Sequence, residues 1–322
     1  MNLNEFQDKI FDISNEELFE IQSLKVFNLQ YQNNLIYKQY CDLINVNTKQ
    51  VNKITEIPFL PIQFFKSQVI KTTRFHEEAI FTSSGTTLGS TSKHFIKNLK
   101  VYEKSFLKAF DLFYPNWEQS IIIGLLPSYL ERSGSSLIYM VNYLIKNSNS
   151  KDSTFQLELN NEFIHFLQND PNPKIMFGVT FALLEMADKG VRPLNTTIIE
   201  TGGMKGRGKE LTREELHAKV NSKIQPDNLH SEYGMTELLS QAYLKNDYFI
   251  SPSWMKCLIR DTTDPLSTKK TGKGVLNIID LANIHSCSFI ATEDLGEVSQ
   301  KGFKVSGRLD HSQIRGCNLL MI

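Results

Sequence analysis

The chain has 322 residues, 41% hydrophobic and 22% charged, enough apolar material for one large domain or two ordinary ones with a sizeable core. Lysine plus arginine and aspartate plus glutamate each number 35, so the net charge is zero, which argues against nucleic acid or an anionic membrane as the main partner. The N-terminus has acids and no apolar signal core, no apolar run approaches the ~20 residues of a membrane span, and Cys41, Cys257, Cys287 and Cys317 lack CxxC spacing. A cytoplasmic chain without a membrane span, with free thiols and no structural zinc, is expected.

Residues 1 to about 50 read as helical, with Leu18, Ile21, Leu24 and Phe27 at three-residue steps as the apolar stripe. IPFLPIQFFKS (57–67) reads as an extended segment over a core, and AIFTSSGTT (79–87) as a short strand running into a loop. Helices are expected at 98–113, 135–147 and 212–224, and over FALLEMADKG. Strands are expected at 120–127, 174–180 and 196–203. That alternation predicts an α/β architecture with a largely parallel sheet. From about 255 the pattern becomes β-rich. The expected organisation is an N-terminal helical segment (1–60) packed on a core (61–322), with a β-rich subdomain over about 255–322.

Between Thr82 and Ser92, ten of eleven residues are Gly, Ser or Thr. Such a run cannot form core, and it suits a loop that wraps hydroxyls and backbone N–H groups around a phosphate. A flexible linker is the alternative reading. Gly203, Gly208 and Lys209 have P-loop spacing, but Glu210 stands where a magnesium-binding Ser or Thr is needed, and no GxGxxG is present.

SSGTT (83–87), ETGG (200–203), SEYGMTE (231–237), TEDLGE (292–297) and GRLD (307–310) occur in this order, and together they resemble the adenylate-forming superfamily, which includes acyl-CoA synthetases, luciferases and peptide-synthetase adenylation domains. The resemblance implies an N-domain-like α/β core with mostly parallel sheets flanked by helices, and ATP and Mg2+ as co-substrates. It implies that Ser83, Ser84, Gly85, Thr86 and Thr87 clasp the phosphates, while Gly202 and Gly203 admit the purine. Tyr233 and Gly234 flank adenine, Thr236 donates to the α-phosphate, Glu237 ligates Mg2+, Asp294 accepts from the ribose, and Arg308 donates to ribose or phosphate. Tyr129, Ser133 and Gly134, ahead of an apolar helix, are placed at the acyl site. His94 and His230 flank these segments. They read as ordinary surface histidines, with orientation of a carboxylate as the other possibility.

The family continues beyond GR-x-D into a lid domain bearing a lysine, whereas this sequence runs twelve residues past Asp310, so the usual C-terminal lid is expected to be lacking. IPFLPIQFFKS, LPSYLERSGSSL and the ending GRLDHSQIRGCNLLMI resemble the acyl-protein synthetase branch, the LuxE-like component of bacterial fatty acid reductase complexes. That likeness implies activation of a fatty or other carboxylic acid as acyl-AMP, transfer to Cys317, and delivery to an acyl-accepting reductase or transferase. Arg315 favours a thiolate at Cys317, although residue type alone reads Cys317 as a small apolar residue in a final strand. Transfer to CoA, a carrier thiol or an amine, and a non-catalytic nucleotide- or acyl-binding subunit, are the alternatives. Cys41, Cys257 and Cys287 sit in apolar contexts and read as inert.

Overall fold

The computed structural model describes residues 3–83, 91–127, 134–202 and 211–309. The chain divides into two compact units: Met1–Phe64 with Ile70–Arg74 and Ser253–Ile322, and Phe65–Val69 with Phe75–Pro252.

The first unit opens with helices α1 (Leu3–Lys9), α2 (Glu16–Asn33) and α3 (Leu35–Leu43), followed by the short strand β1 (Leu60–Pro61). Asn15 starts α2 by accepting from the Leu18 N–H at 2.9 Å, and Asn34 starts α3 by accepting from Tyr37. The buried face of α2 is Phe19, Ser23, Val26, Phe27 and Gln30. This corrects the expected stripe, because Leu18 and Ile21 are 37% and 40% exposed. Three-residue steps fall about 60° short of a full turn each time, so that series drifts off the face, whereas the observed one follows 3.6-residue spacing. Two of its members are polar and are satisfied: Ser23 donates to the Phe19 carbonyl, and Gln30 donates to the carbonyls of Asn283, Ile284 and Ser286 at 3.1–3.3 Å.

Helix α4 (Phe64–Ser67) brings Phe65 to the second unit, whose hairpin pairs β2 (Ala79–Thr82) with β3 (Lys93–Ile96). Then follow α5 (Leu99–Phe113), β4 (Ile121–Leu125), α6 (Ser136–Asn147), β5 (Thr154–Gln156), α7 (Asn161–Asn169), β6 (Lys174–Val179), α8 (Thr180–Asp188), β7 (Thr196–Thr201), α9 (Arg213–Lys223), β8 (Asn228–Tyr233), β9 (Ala242–Lys245) and β10 (Tyr248–Ile250). Strands β5, β4, β6, β7 and β8 lie side by side in parallel, and β9 and β10 extend the sheet antiparallel. Every residue of β4 and β6 is buried, as parallel strands covered on both faces require. Lys174 is buried too, its ammonium held by the carbonyls of Asp170, Asn172 and Leu194 and the Asp170 carboxylate.

Returning to the first unit, β11 (Met255–Arg260), β12 (Thr268–Lys269), β13 (Gly272–Asp280), β14 (Phe289–Ser299) and β15 (Gly302–Arg308) form an antiparallel sheet in the order β12-β11-β13-β14-β15. The N-terminal β1 joins β14 in parallel, and Phe27, Tyr37 and Phe59 pack their rings against Phe289. Cys41, Cys257 and Cys287 are buried free thiols, each with its pKa pushed up by burial. Among the described residues no helix is long and apolar enough to cross a membrane.

Candidate active site

In a parallel sheet the strands deliver their carboxyl ends to one edge, where ligands of open α/β folds bind. Here β7 ends at Thr201 and β8 at Tyr233, in adjacent register with Glu200 opposite Ser231. Gly202, Tyr233, Gly234, Thr236 and Glu237 therefore arrive at the same edge. Gly202 has φ +72°, a left-handed conformation that glycine adopts freely, and its carbonyl accepts from the Thr180 hydroxyl at 2.9 Å.

Alternation along β7 and β8 sends the two carboxylates of this edge to opposite faces of the sheet. Glu200 lies on the α8–α9 face. It accepts from Thr180 at 3.1 Å and Ser231 and sits 4.0 Å from Arg213. Burial raises its pKa against those partners. Ser231 also meets His217 Nε2 at 2.9 Å, and burial with the nearby Arg213 charge lowers the His217 pKa to about 4. Tyr233 faces the same way, 7% exposed, its ring 5.7 Å from Phe249, over which the Arg213 guanidinium lies at 4.7 Å.

Glu232 projects to the α5 face and accepts from the Thr201 hydroxyl at 2.6 Å. Burial pushes its pKa up to about 7, the Thr201 bond working against this and the Glu200 charge adding to it. A Cβ on Gly234 would stand 2.6 Å from Glu232 Oε1, so the glycine leaves room for that carboxyl. On the same face Tyr243 is opposite Glu232 in register, and Gln241 and Tyr243 are buried with a polar atom of each unpaired.

The Gly/Ser/Thr run is carried on the β2–β3 hairpin, with Thr82 opposite Lys93. Strand β2 ends at Thr82, a short strand leading into the run as expected, and β3 was not foreseen. Above the last pair, the Ser83 N–H donates to the Ser92 carbonyl and the Ser92 N–H donates to Ser83 Oγ at 2.9 Å, closing the stem. Gly134, at φ +84°, backs onto this stem: its carbonyl accepts from the Thr82 N–H at 2.8 Å, and an added Cβ would lie 3.0 Å from the Ile80 carbonyl. An aromatic cluster of Phe81, Tyr102 and Tyr139 packs beneath it.

The two histidines are not at the surface as expected. His94 is 1% exposed, its Nδ1 bonded to the Thr236 carbonyl at 2.8 Å and its ring edge-on to Phe65. Burial lowers its pKa to about 4 despite that bond. His230 is half-buried, with Nδ1 3.1 Å from the Tyr114 hydroxyl. Polar residues in a short strand give no periodic signal, so neither placement was legible. The acidic residue before Tyr-Gly was the one clue to Glu232.

In the first unit Asp294 and Arg308 are cross-strand partners, with Nε 3.2 Å from Oδ1; the Asp294 side chain is 10% exposed and that of Arg308 80%. Ser84, Gly85, Thr86, Thr87, Tyr129, Ser133, Gly203 and Cys317 lie outside the described residues. Among the described residues no group of three His, Cys, Asp or Glu is arranged to hold a metal ion. Glu237, 5% exposed, is a single hard-oxygen carboxylate, a donor of the kind magnesium takes.

No protein-family model and no curated protein sequence matches the chain. Among solved structures it matches ATP-bound MatB from Rhodopseudomonas palustris at 13% identity and TM-score 0.52, over 71% of this chain and 48% of that one. The ATP-bound RpMatB-BxBclM chimera B3 gives 13% identity and TM-score 0.53 over the same shares. The chain thus spans about half the length of the solved structures it matches. What the protein shares with these ATP-bound neighbours is the fold: a mixed α/β core with a large, mostly parallel sheet and a β-rich C-terminal part.

Proposed function

We propose that the protein is an ATP-dependent acyl-protein synthetase that activates a fatty or other carboxylic acid as acyl-AMP and moves the acyl group to Cys317 for delivery to a reductase or transferase partner. The observation that carries this reading is the convergence on one sheet edge of the Tyr233–Glu237 segment and the stem of the Gly/Ser/Thr run, joined by the His94–Thr236 bond.

In this reading the substrate carboxylate attacks the α-phosphorus of ATP, the bond to pyrophosphate breaks, and acyl-AMP forms. Ser83, Ser84, Thr86 and Thr87, with the backbone at Gly85, hold the departing pyrophosphate. Thr236 donates to the α-phosphate, and Glu237 with the phosphates holds Mg2+. Gly202 and Gly203 let the purine approach, Tyr233 and Gly234 border it, and Asp294 accepts from the ribose hydroxyls with Arg308 beside it. Tyr129, Ser133 and Gly134 border the acid. The Cys317 thiolate then attacks the acyl carbonyl, and AMP leaves with the bond it breaks.

Intact-mass spectrometry after incubation with Mg-ATP and a panel of fatty acids tests this directly. The expected result is a hydroxylamine-labile acyl adduct on the wild type, absent from Cys317→Ala. Acid-dependent pyrophosphate release without an adduct would instead support an external acceptor such as CoA. Neither signal would overturn the synthetase reading for those acids.

A further inference from the structure

The hairpin that carries the Gly/Ser/Thr run and the turn after β8 are far apart in sequence, and a buried histidine ties them together. Burial along β3 alternates, with His94 and Ile96 buried and Lys93 exposed. His94 therefore occupies a position where an apolar side chain would satisfy packing alone. Its imidazole sits edge-on to Phe65 at 5.9 Å and donates toward the Thr236 carbonyl at 2.8 Å. A carbonyl can only accept, so Nδ1 carries the proton and Nε2 is a bare acceptor. That Nε2 is buried and has no partner among the described residues. Desolvating a second polar atom is a penalty no packing residue would incur. What the histidine gives in return is the bond to Thr236.

We propose that His94 is a positioning residue: its Nδ1–H fixes the Thr236 carbonyl, and with it the Thr236–Glu237 dipeptide, in register with the stem of the Gly/Ser/Thr hairpin. The stem is rigid enough to act as a reference, because Ser83 and Ser92 close it and the Gly134 carbonyl pins Thr82. The turn after β8 has left the strand ladder, and there the bond from His94 supplies a partner for the Thr236 carbonyl. The kinetic consequence rests on the adenylating reading; the positional one does not.

Two substitutions separate donor from volume. In His94→Asn the side-chain amide replaces the Nδ1–H donor, whereas His94→Phe keeps a ring against Phe65 and removes the donor. Hydrogen exchange of the amides of residues 234–238, read without any ligand, is expected to quicken in H94F and to stay near wild type in H94N. In acid-dependent ATP–pyrophosphate exchange, H94F is expected to lose ~10- to 100-fold in kcat/KM at unchanged melting temperature, the scale of loss when a reacting group is misplaced by about an ångström. H94N is expected to remain within about threefold of wild type, a rescue that ring packing alone would not give. If H94F does not fold, His94→Gln, whose donor is displaced by one methylene, takes its place.

Equal impairment of the Asn and Phe variants would overturn the proposal in favour of ring packing, as would unchanged exchange in H94F. If the wild type shows no pyrophosphate exchange with any acid, the adenylating reading fails, and the ligand-free exchange of residues 234–238 still decides the role of His94.

Discussion

Glu232 and Glu200 sit one strand apart, yet their side chains leave the sheet in opposite directions, and among the described residues only Glu200 has an arginine nearby. Among the described residues Glu232 has one hydroxyl donor, Thr201, and burial pushes its pKa up to about 7. A carboxyl with a native pKa above its unfolded value of 4.5 holds its proton more tightly when folded. Stability from this group is therefore present at low pH and is lost as pH rises through the window from 4.5 to about 7. Glu232→Gln is expected to flatten that slope and to stabilise the protein above pH 7 by ~1–3 kcal/mol, read from urea midpoints across pH. At this scale the sequence was uneven as a guide. Gly202 was legible for its backbone freedom, and Gly234 only as part of the resemblance. Glu232 and His94 were not, because a polar residue in a strand looks the same whether it faces solvent or a buried hydroxyl.

Long, strongly patterned elements were legible as elements: α5, α6, α9, β4, β6 and β7 fall within a residue or a few of their expected bounds. Strand β8 was missed because four of the six residues of NLHSEY are polar. It becomes a strand through pairing with β7 on one side and β9 on the other, information that no local window contains. The face of α2 was misread for a related reason. Ser23 and Gln30 belong to the buried stripe although they are polar, because long-range or helix-local carbonyls satisfy them. Gln30 also accepts from the Ser288 N–H at 2.9 Å. Gln30→Met keeps the volume but strands those buried backbone groups, and a loss of ~2–4 kcal/mol in denaturant unfolding is expected, against a small change for the exposed Gln32→Met.

The first unit is assembled from both ends of the chain. Asn34 and Thr72 bond the Ser286 carbonyl, β1 pairs with β14, and Phe27, Tyr37 and Phe59 surround Phe289. Deleting residues 1–59 is expected to unfold β11–β15 as well: residues 255–308 should become susceptible to protease. Survival of a protected 255–308 fragment would show that the antiparallel sheet is self-sufficient. Sequence periodicity gives the strands of that sheet but not their dependence on a helix more than 250 residues earlier.

That arrangement also sets an order of events during synthesis. The N-terminal helices emerge from the ribosome long before the strands they cover, with residues 75–252 made in between. At ~5–20 residues per second the wait is roughly ten to forty seconds, during which Phe27, Tyr37 and Phe59 have no sheet to bury against. The second unit is nearly continuous in sequence and can complete its parallel sheet within that interval. The aromatic side of α2 and α3 is then the surface a nascent-chain chaperone would find exposed, and β11–β15, translated after the second unit, are the strands that release it.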